Sequence, residues 1–283
     1  MDATVTERDP YSWAADRLAE ERRLVAQGEY LEPVTEALLR EAGIDSARRV
    51  VDLGSGAGDC ALLAARLVGP QGSVLGVERS AEQVELARRR ITAMGLDRVA
   101  FVEGDVAGLE GQLAALPDPV DAVIGRCILM WVPDRLAVLG ACAQALPPGA
   151  LVWFLEPDME GWEMTHPSCP LWERVRGLVV DTVRTLGAEV RMGPRLHRAF
   201  RDAGLPAPEL RCRTLITGVA TAPMSVIVNI VRAVLPSVER FGIATAAEVD
   251  IETLEERMRA EVTAVDGVVN FPPLFAAWTR VPG

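Results

Sequence analysis

Short apolar runs alternate with stretches of helical periodicity through the first half of the chain. The runs occupy residues 50–53, 73–78, 99–103, 120–125 and 150–156. In sequence, a buried parallel strand is a run of about four to eight apolar residues, whereas an amphipathic helix has apolar residues three and four positions apart. The alternation therefore predicts an α/β fold with a doubly wound sheet and right-handed crossovers.

The second half of the chain departs from this alternation. Helical spacing covers residues 171–186, 196–203, 223–241 and 251–265, with an expected break at Pro236. Strand-like patterns cover residues 208–218 and 274–281. We expect helical insertions that form a cap near residues 157–207 and 222–267, and we expect the two strands to complete the sheet.

Two helical patterns precede the first apolar run. Residues 11–27 and 33–42 are predicted as separate helices, and Gly43 provides a stop after the second. The sequence therefore predicts an N-terminal helical segment over residues 1–45 and a main domain over residues 46–283.

Three glycines follow the first apolar run, in the sequence Val-Val-Asp-Leu-Gly-Ser-Gly-Ala-Gly-Asp-Cys of residues 50–60. Glycine lets the backbone turn sharply and a ligand come close, and the next helix directs free N–H groups at that ligand. A dinucleotide fingerprint has the spacing Gly-x-Gly-x-x-Gly. Here the third glycine comes one residue early, and Asp52 stands two positions before the first. The stretch resembles motif I of the class I S-adenosylmethionine-dependent methyltransferases.

The resemblance is strong over residues 48–156 and looks closest to the small-molecule methyltransferases of the quinone-methylating branch. It implies S-adenosylmethionine as cofactor. It also implies a Rossmann-like, seven-stranded, doubly wound sheet whose last strand inserts antiparallel beside the fifth. In this class the leading helix can lie over the cofactor, so the segment 1–45 is either a lid or a simple packing element.

The predicted cofactor site draws on four strand ends. Glu78 ends the second strand about twenty residues beyond the glycines, where a carboxylate can accept hydrogen bonds from ribose hydroxyls. In the resembling family an acid after the third strand accepts from the adenine amino group and the next residue donates its backbone N–H, which implies Asp105 and Val106. Ligands bind beyond the carboxyl ends of parallel strands, which adds the residues after the fourth run. The predicted set is Asp52, Gly54, Ser55, Gly56, Glu78, Arg79, Gly104, Asp105, Val106, Arg126 and Cys127.

Candidates for catalysis and substrate binding lie around the fourth and fifth runs. His166 is either a general base or a loop histidine bonded to backbone or water. Glu156 and Asp158 either orient the substrate or act as base, or they make loop hydrogen bonds. Trp131 and Trp162 either line the pocket of an aromatic substrate and stabilise the sulfonium by cation–π contact, or they pack in the core. We predict His166 and Glu156 as catalytic and the other three as substrate-binding residues.

Composition narrows the set of partners. The chain has 283 residues, of which 49% are hydrophobic, as a globular protein with a large core requires. The net charge of −11 argues against a nucleic-acid partner, because phosphate binding needs a basic patch.

Five scattered cysteines lack metal-ligand spacing, which predicts reduced thiols and no metal site. The sequence shows no signal-peptide pattern and no membrane-spanning run, so we expect a cytoplasmic protein without a membrane partner; a homodimer is left open.

These features predict metal-independent transfer of a methyl group from S-adenosylmethionine to an oxygen, nitrogen or carbon atom of a small molecule, such as an aromatic or natural-product scaffold. Two alternatives stay open. An NAD(P)-dependent oxidoreductase would normally have another glycine spacing and a catalytic tyrosine. The two tyrosines of this chain, Tyr11 and Tyr30, both precede the first predicted strand. A non-methylating cyclase of the same fold would retain the same cofactor motifs.

Overall fold

The computed structural model describes residues 17–283, with side chains from Glu20 onward. The chain forms two compact units. The sheet unit comprises residues 27–158, 191–213 and 273–283, and the helical unit comprises residues 159–190, 214–272 and the described residues 17–26. The sequence-based boundaries divide the chain differently and stay a prediction.

Ten strands and ten α-helices occur in the described residues. The strands are β1 (Arg49–Leu53), β2 (Ser73–Glu78), β3 (Val99–Glu103), β4 (Ala122–Arg126), β5 (Leu151–Pro157), β6 (Thr165–His166), β7 (Glu209–Arg213), β8 (Ile216–Gly218), β9 (Val268–Asn270) and β10 (Leu274–Arg280). The helices are α1 (Arg17–Glu41), α2 (Asp59–Leu67), α3 (Ala81–Met94), α4 (Leu109–Ala114), α5 (Arg135–Ala145), α6 (Pro170–Thr185), α7 (Met192–Asp202), α8 (Met224–Arg240), α9 (Ala246–Val249) and α10 (Ile251–Ala264). The five strands predicted in the first half are all present.

The sheet unit is built on seven strands in the order β3-β2-β1-β4-β5-β10-β7. Strands β1 to β5 run parallel, and Val51 in β1 lies beside Leu75 on one side and Val123 on the other. Strand β10 is antiparallel to both β5 and β7. The predicted Rossmann-like seven-stranded sheet with an antiparallel last strand is confirmed. The strand order reverses between β1 and β4, and ligands of such sheets bind beyond the carboxyl ends at that point.

Apolar side chains fill the interior of the sheet unit. Ile124, Trp153 and Phe154 are fully buried, and every residue of β5 is buried. Continuous burial of this kind is typical of a parallel sheet covered on both faces by helices. On one face α1 is tied to α2 by an ion pair of 2.6 Å between Glu32 and Arg66.

The helical unit has an apolar core of its own, which includes Trp172, Val231 and Met258. Helix α8 packs against α6 and α10 around this core. The Trp172 ring is fully buried, and its indole N–H donates to the Met258 carbonyl at 2.9 Å. A three-stranded antiparallel sheet in the order β6-β9-β8 belongs to the same unit. None of the helices within residues 17–283 has the length and apolarity to span a membrane.

Two prolines lie inside continuous helices, although the sequence predicted Pro33 at the start of a separate helix and Pro236 at a helix break. The predicted helices 11–27 and 33–42 form one helix, α1, with Pro33 in its interior, and the part of the prediction before residue 17 lies outside the described residues. Pro236 likewise lies within a continuous α8. An internal proline removes one helical hydrogen bond and strains the helix, at about 3 kcal/mol. Burial on both sides of each proline offsets this cost, through Leu31 and Leu38 in α1 and through Val234 and Val238 in α8.

The stretch 208–218, predicted as one strand, forms two. Strand β7 pairs with β10 in the sheet unit, whereas β8 pairs with β9 in the helical unit. The single-strand prediction was wrong because alternation along a sequence shows which residues are half-buried but not which partner strand they face. The chain passes from one unit to the other between Arg213 and Thr214.

Candidate active site

The glycine turn follows β1, where the strand order reverses. Gly54, Gly56 and Gly58 have φ angles of +63°, +51° and +90°, a region that side chains rarely adopt. A Cβ at Gly54 would lie 2.5 Å from Cδ1 of Ile128, and one at Gly58 would lie 2.6 Å from Cζ of Phe101. A Cβ at Gly56 would meet nothing within 4 Å in the described residues. The backbone at Gly56 is therefore open to a ligand.

Glu78 ties this turn to the end of β2. Its Oε2 accepts from the N–H of Gly56 at 3.0 Å, and its Oε1 accepts from the N–H of Ser80 at 2.9 Å. Burial raises the pKa of Glu78, although both amide bonds favour the ionised form. Two carboxylate oxygens offer about four acceptor sites. Glu78 can therefore shape the turn and still accept from ribose hydroxyls.

Asp52 is a buried acid directly before the turn. Neither of its oxygens has a hydrogen-bond partner of normal geometry in residues 17–283, and the buried Ser55 hydroxyl lacks one too. Burial raises the pKa of Asp52 to about 7, opposed by the Arg126 guanidinium and the Cys60 thiol. Buried polar atoms normally have partners. The unpaired atoms therefore suit a ligand that brings a cation and hydrogen-bond donors.

The end of β4 supplies Arg126 and Cys127. The Nη1 of Arg126 donates to Oγ1 of Thr35 at 3.1 Å, and that hydroxyl donates to the Leu31 carbonyl at 2.8 Å. Cys127 has a φ of +55°, and its N–H donates to the Leu155 carbonyl at 2.8 Å. Thr35 is absent from the predicted set, because a hydroxyl within a helical pattern gives no signal of such a contact.

The residues after β3 lie at the same edge of the sheet. The N–H of Gly104 donates to the Glu78 carbonyl at 2.9 Å. Asp105 is exposed, and its Oδ1 accepts from the N–H of Ala107 at 2.9 Å to cap the 3-10 turn Val106–Gly108. An exposed carboxylate keeps acceptor capacity beyond this single bond. The predicted role of Asp105 toward an amino group stays a prediction.

Glu156 is fully buried near the end of β5. Its Oε1 accepts from the N–H groups of Ile128 and Leu129 at 2.9 and 2.8 Å, and its Oε2 accepts from Met130 at 3.2 Å. Burial raises the pKa of Glu156, and the three amide bonds, which need an acceptor at both oxygens, oppose that rise and favour the ionised form. Sequence reasoning missed these amides because backbone donors leave no residue-type signal. The predicted catalytic role of Glu156 stays a prediction.

The remaining candidates are divided between the two units. In the sheet unit, Asp158 lies 3.7 Å from Nε of Arg191, and Trp131 ends the 3-10 turn Leu129–Trp131. In the helical unit, the His166 side chain is 78% exposed, with Nδ1 4.0 Å from Glu163. Trp162 donates its indole N–H to the Asn270 carbonyl at 3.3 Å. Their predicted catalytic and substrate-binding roles stay predictions.

The edge formed by the ends of β1 to β4 brings together all eleven residues predicted to bind the cofactor. It offers a turn that a ligand can approach, a buried acid without a well-aligned partner in the described part of the chain, and a second acid with spare acceptor sites. These features fit S-adenosylmethionine, which carries an amino-acid end, a ribose and an adenine. Asp52 and Ser55 would hold the amino-acid end, Glu78 the ribose, and Asp105 with Val106 the adenine.

Comparison with known families decides between the cofactors considered for such a turn. Residues 44–193, more than half of the chain, match the family model described as a methyltransferase domain. The chain belongs to the methyltransferase-domain family. The predictions of an enzyme and of S-adenosylmethionine as its cofactor are confirmed.

Curated relatives match parts of the chain. The trans-aconitate 2-methyltransferase of Rhizobium leguminosarum bv. trifolii is 29% identical over 180 residues, which cover 64% of this chain and 60% of the relative. The arsenite methyltransferase of Halobacterium salinarum is 35% identical over 103 residues, which cover 36% of this chain and 25% of the relative. The matches thus span between about a quarter and three fifths of these relatives' lengths.

Solved structures share the fold. A putative methyltransferase from Bacillus halodurans has a TM-score of 0.55 at 14% identity, over 88% of this chain and 99% of the other. An O-methyltransferase family protein from Burkholderia thailandensis has a TM-score of 0.55 at 22% identity, over 71% of this chain and 58% of the other. The two structures support the seven-stranded fold observed in the sheet unit.

Binding of S-adenosylhomocysteine is expected to release a proton from Asp52. The pKa of its carboxyl is raised to about 7, and the ligand's ammonium group beside it would lower that pKa. Affinity should therefore rise with pH below about 7, by at most about tenfold per pH unit for one proton. Calorimetry near pH 6.5 in two buffers of different ionisation enthalpy measures the release. Asp52→Asn is the control, and buffer-independent heats in the wild type would contradict the prediction.

Proposed function

We propose that this protein transfers a methyl group from S-adenosylmethionine to an oxygen, nitrogen or carbon atom of a small molecule, without a metal ion. The observation that carries the proposal is the buried Asp52 carboxylate, which has no hydrogen-bond partner of normal geometry within residues 17–283, beside a glycine turn that is itself held by Glu78. Family membership supplies the reaction class.

Bound S-adenosylmethionine supplies a methyl group on a cationic sulfur. The chain's own residues have to bind the cofactor, orient the acceptor and exclude water. Holding two reactants in line can lower a barrier by about 7–11 kcal/mol in favourable cases. Arg126 ends β4 at the point where the sheet order reverses, and residues 127–131 follow it, so we assign the alignment of the methyl group to Arg126, Cys127 and Trp131. A site of low polarity favours this reaction, because charge is dispersed as the methyl moves.

The acceptor is a small molecule in this proposal. Support comes from the relatives, whose names give trans-aconitate and arsenite as acceptors. Placement in the quinone-methylating branch, an aromatic acceptor and a homodimer remain part of the proposal. His166 is the proposed general base for a hydroxyl acceptor, with Asp158 and Trp162 as acceptor contacts; an amine or an ionised oxygen would need no base.

A two-step experiment tests the function. Thermal-shift measurements should show stabilisation by S-adenosylmethionine and S-adenosylhomocysteine but not by NAD, because a ligand stabilises the folded state that binds it. Methyl-deuterated S-adenosylmethionine is then incubated with carboxylate, amine, phenol, quinol and arsenite acceptors, and products are identified by mass. Stabilisation by NAD alone would contradict the cofactor. Cofactor binding with a mass-neutral conversion of the acceptor would favour the cyclase alternative instead.

A further inference from the structure

The segment 127–131, which joins β4 to the turn before α5, has an unusual backbone. Cys127 adopts a left-handed φ of +55°, which a residue with a side chain rarely adopts. The 3-10 turn Leu129–Trp131 begins after Ile128. Leu129 and Met130 are buried, so their amides need partners within the protein. Some other group must hold this conformation.

Glu156 satisfies these amides from the neighbouring strand. Three consecutive N–H groups converge on its carboxylate, from Ile128, Leu129 and Met130 at 2.8 to 3.2 Å. Consecutive backbone N–H groups arranged in this way form a concavity suited to an anion. Glu156 is fully buried and three amides converge on its carboxylate, so the geometry orders a loop and does not present an acid to a substrate.

Ile128 connects this loop to the glycine turn. A Cβ at Gly54 would lie 2.5 Å from Cδ1 of Ile128, and a Cβ at Gly125 would lie 2.7 Å from its Cγ2. The Ile128 side chain therefore packs against both glycines, at the ends of β1 and β4. A shift of the loop would move the side chain that covers Gly54.

We propose that Glu156 is a positioning residue: its carboxylate holds residues 127–131 so that Ile128 supports the glycine turn and the cofactor-binding edge is preformed. The inference rests on the proposed function, because it concerns the same cofactor site. It differs from a proton-transfer role, in which Glu156 would act on the acceptor and leave cofactor binding unchanged.

Glu156→Gln tests the inference. Glutamine keeps the shape but turns one acceptor oxygen into an N–H donor, which must face either Met130 or the other two amides. Asp121→Asn is the matched control, since Oδ2 of Asp121 accepts from the N–H groups of Arg48 and Arg49 at the opposite end of β4. One oxygen suffices there, so asparagine removes a charge and keeps both bonds.

Calorimetry with S-adenosylhomocysteine and hydrogen exchange of the ligand-free protein provide two readouts. For Glu156→Gln we expect affinity to fall at least about tenfold and amides 128–130 to exchange at least about tenfold faster. For Asp121→Asn we expect changes below about twofold in both. Wild-type affinity in Glu156→Gln would overturn the inference and favour the proton-transfer role.

Two further results separate this inference from the proposed function. A wild-type protein that does not bind S-adenosylhomocysteine would contradict the function, while the exchange of amides 128–130 would still decide whether Glu156 holds the loop. If Glu156→Gln does not fold, Ile128→Ala replaces it. That variant should lose affinity at least about fivefold while the amides stay protected, and unchanged affinity would overturn the link to the glycine turn.

Discussion

Glu78→Ala is expected to weaken the binding of S-adenosylhomocysteine by roughly 2–4 kcal/mol, because hydrogen bonds to a charged group contribute about 1.5–3 kcal/mol each. Two losses combine in this variant. The ribose hydroxyls lose their acceptor, and the N–H groups of Gly56 and Ser80 lose the carboxylate that fixes the turn. Isothermal titration calorimetry measures the effect directly.

Glu85→Ala is the matched control for this variant. Glu85 is an exposed acid on α3, so its removal changes the net charge equally without touching the turn. We expect its affinity to stay within about 0.5 kcal/mol of the wild type, as for ordinary surface substitutions. Equal losses in both variants would show that overall charge, and not the ribose contact, determines affinity.

Trp172→Ala is expected to destabilise the helical unit by about 3–5 kcal/mol, the usual cost of removing a large buried aromatic ring. The ring is fully buried in the core between α6, α8 and α10, and its N–H donates to the Met258 carbonyl. A chain with two units need not unfold in one step. Hydrogen exchange of peptides from α6 therefore measures the effect better than a single melting temperature.

Trp172→Phe separates the packing contribution from the hydrogen bond. Phenylalanine retains most of the apolar surface but cannot donate to Met258, so we expect a smaller loss of about 1–2 kcal/mol. Equal destabilisation by both substitutions would mean that the hydrogen bond dominates. Little destabilisation by either would contradict the assigned core of the helical unit.

The first half of the fold could be predicted from sequence because β1, β2, β4 and β5 are mostly buried, whereas the edge strand β3 is still bounded by clear turn signals. The apolar runs at residues 73–78 and 99–103 coincide with β2 and β3, since few other elements produce short apolar runs bounded by glycine and acidic residues. The position of the cofactor-binding residues at one edge of the sheet could be predicted for the same reason. Once strands and turns alternate, Asp52, Glu78 and Asp105 must lie at one edge of a parallel sheet.

The remaining features depend on contacts that local patterns do not encode. Strands β6, β8 and β9 have only two or three residues, too few to show a period. Pro33 and Pro236 lie within helices because tertiary burial exceeds the local cost, which a window of sequence cannot evaluate. The amides around Glu156 lie 26 to 28 positions away and carry no side-chain signature.

Strand β10 lies between β5 and β7 in the sheet. In the chain it follows two long segments of the helical unit, residues 159–190 and 214–272. A truncation after residue 158 would leave β5, which is buried along its whole length and apolar except for Glu156, as an open edge that can pair with other molecules. Expression of residues 27–158 alone should therefore yield aggregates. Any exchange of the segments 159–190 and 214–272 has to keep residues 273–283 in their original register, because β10 pairs with β5 and β7.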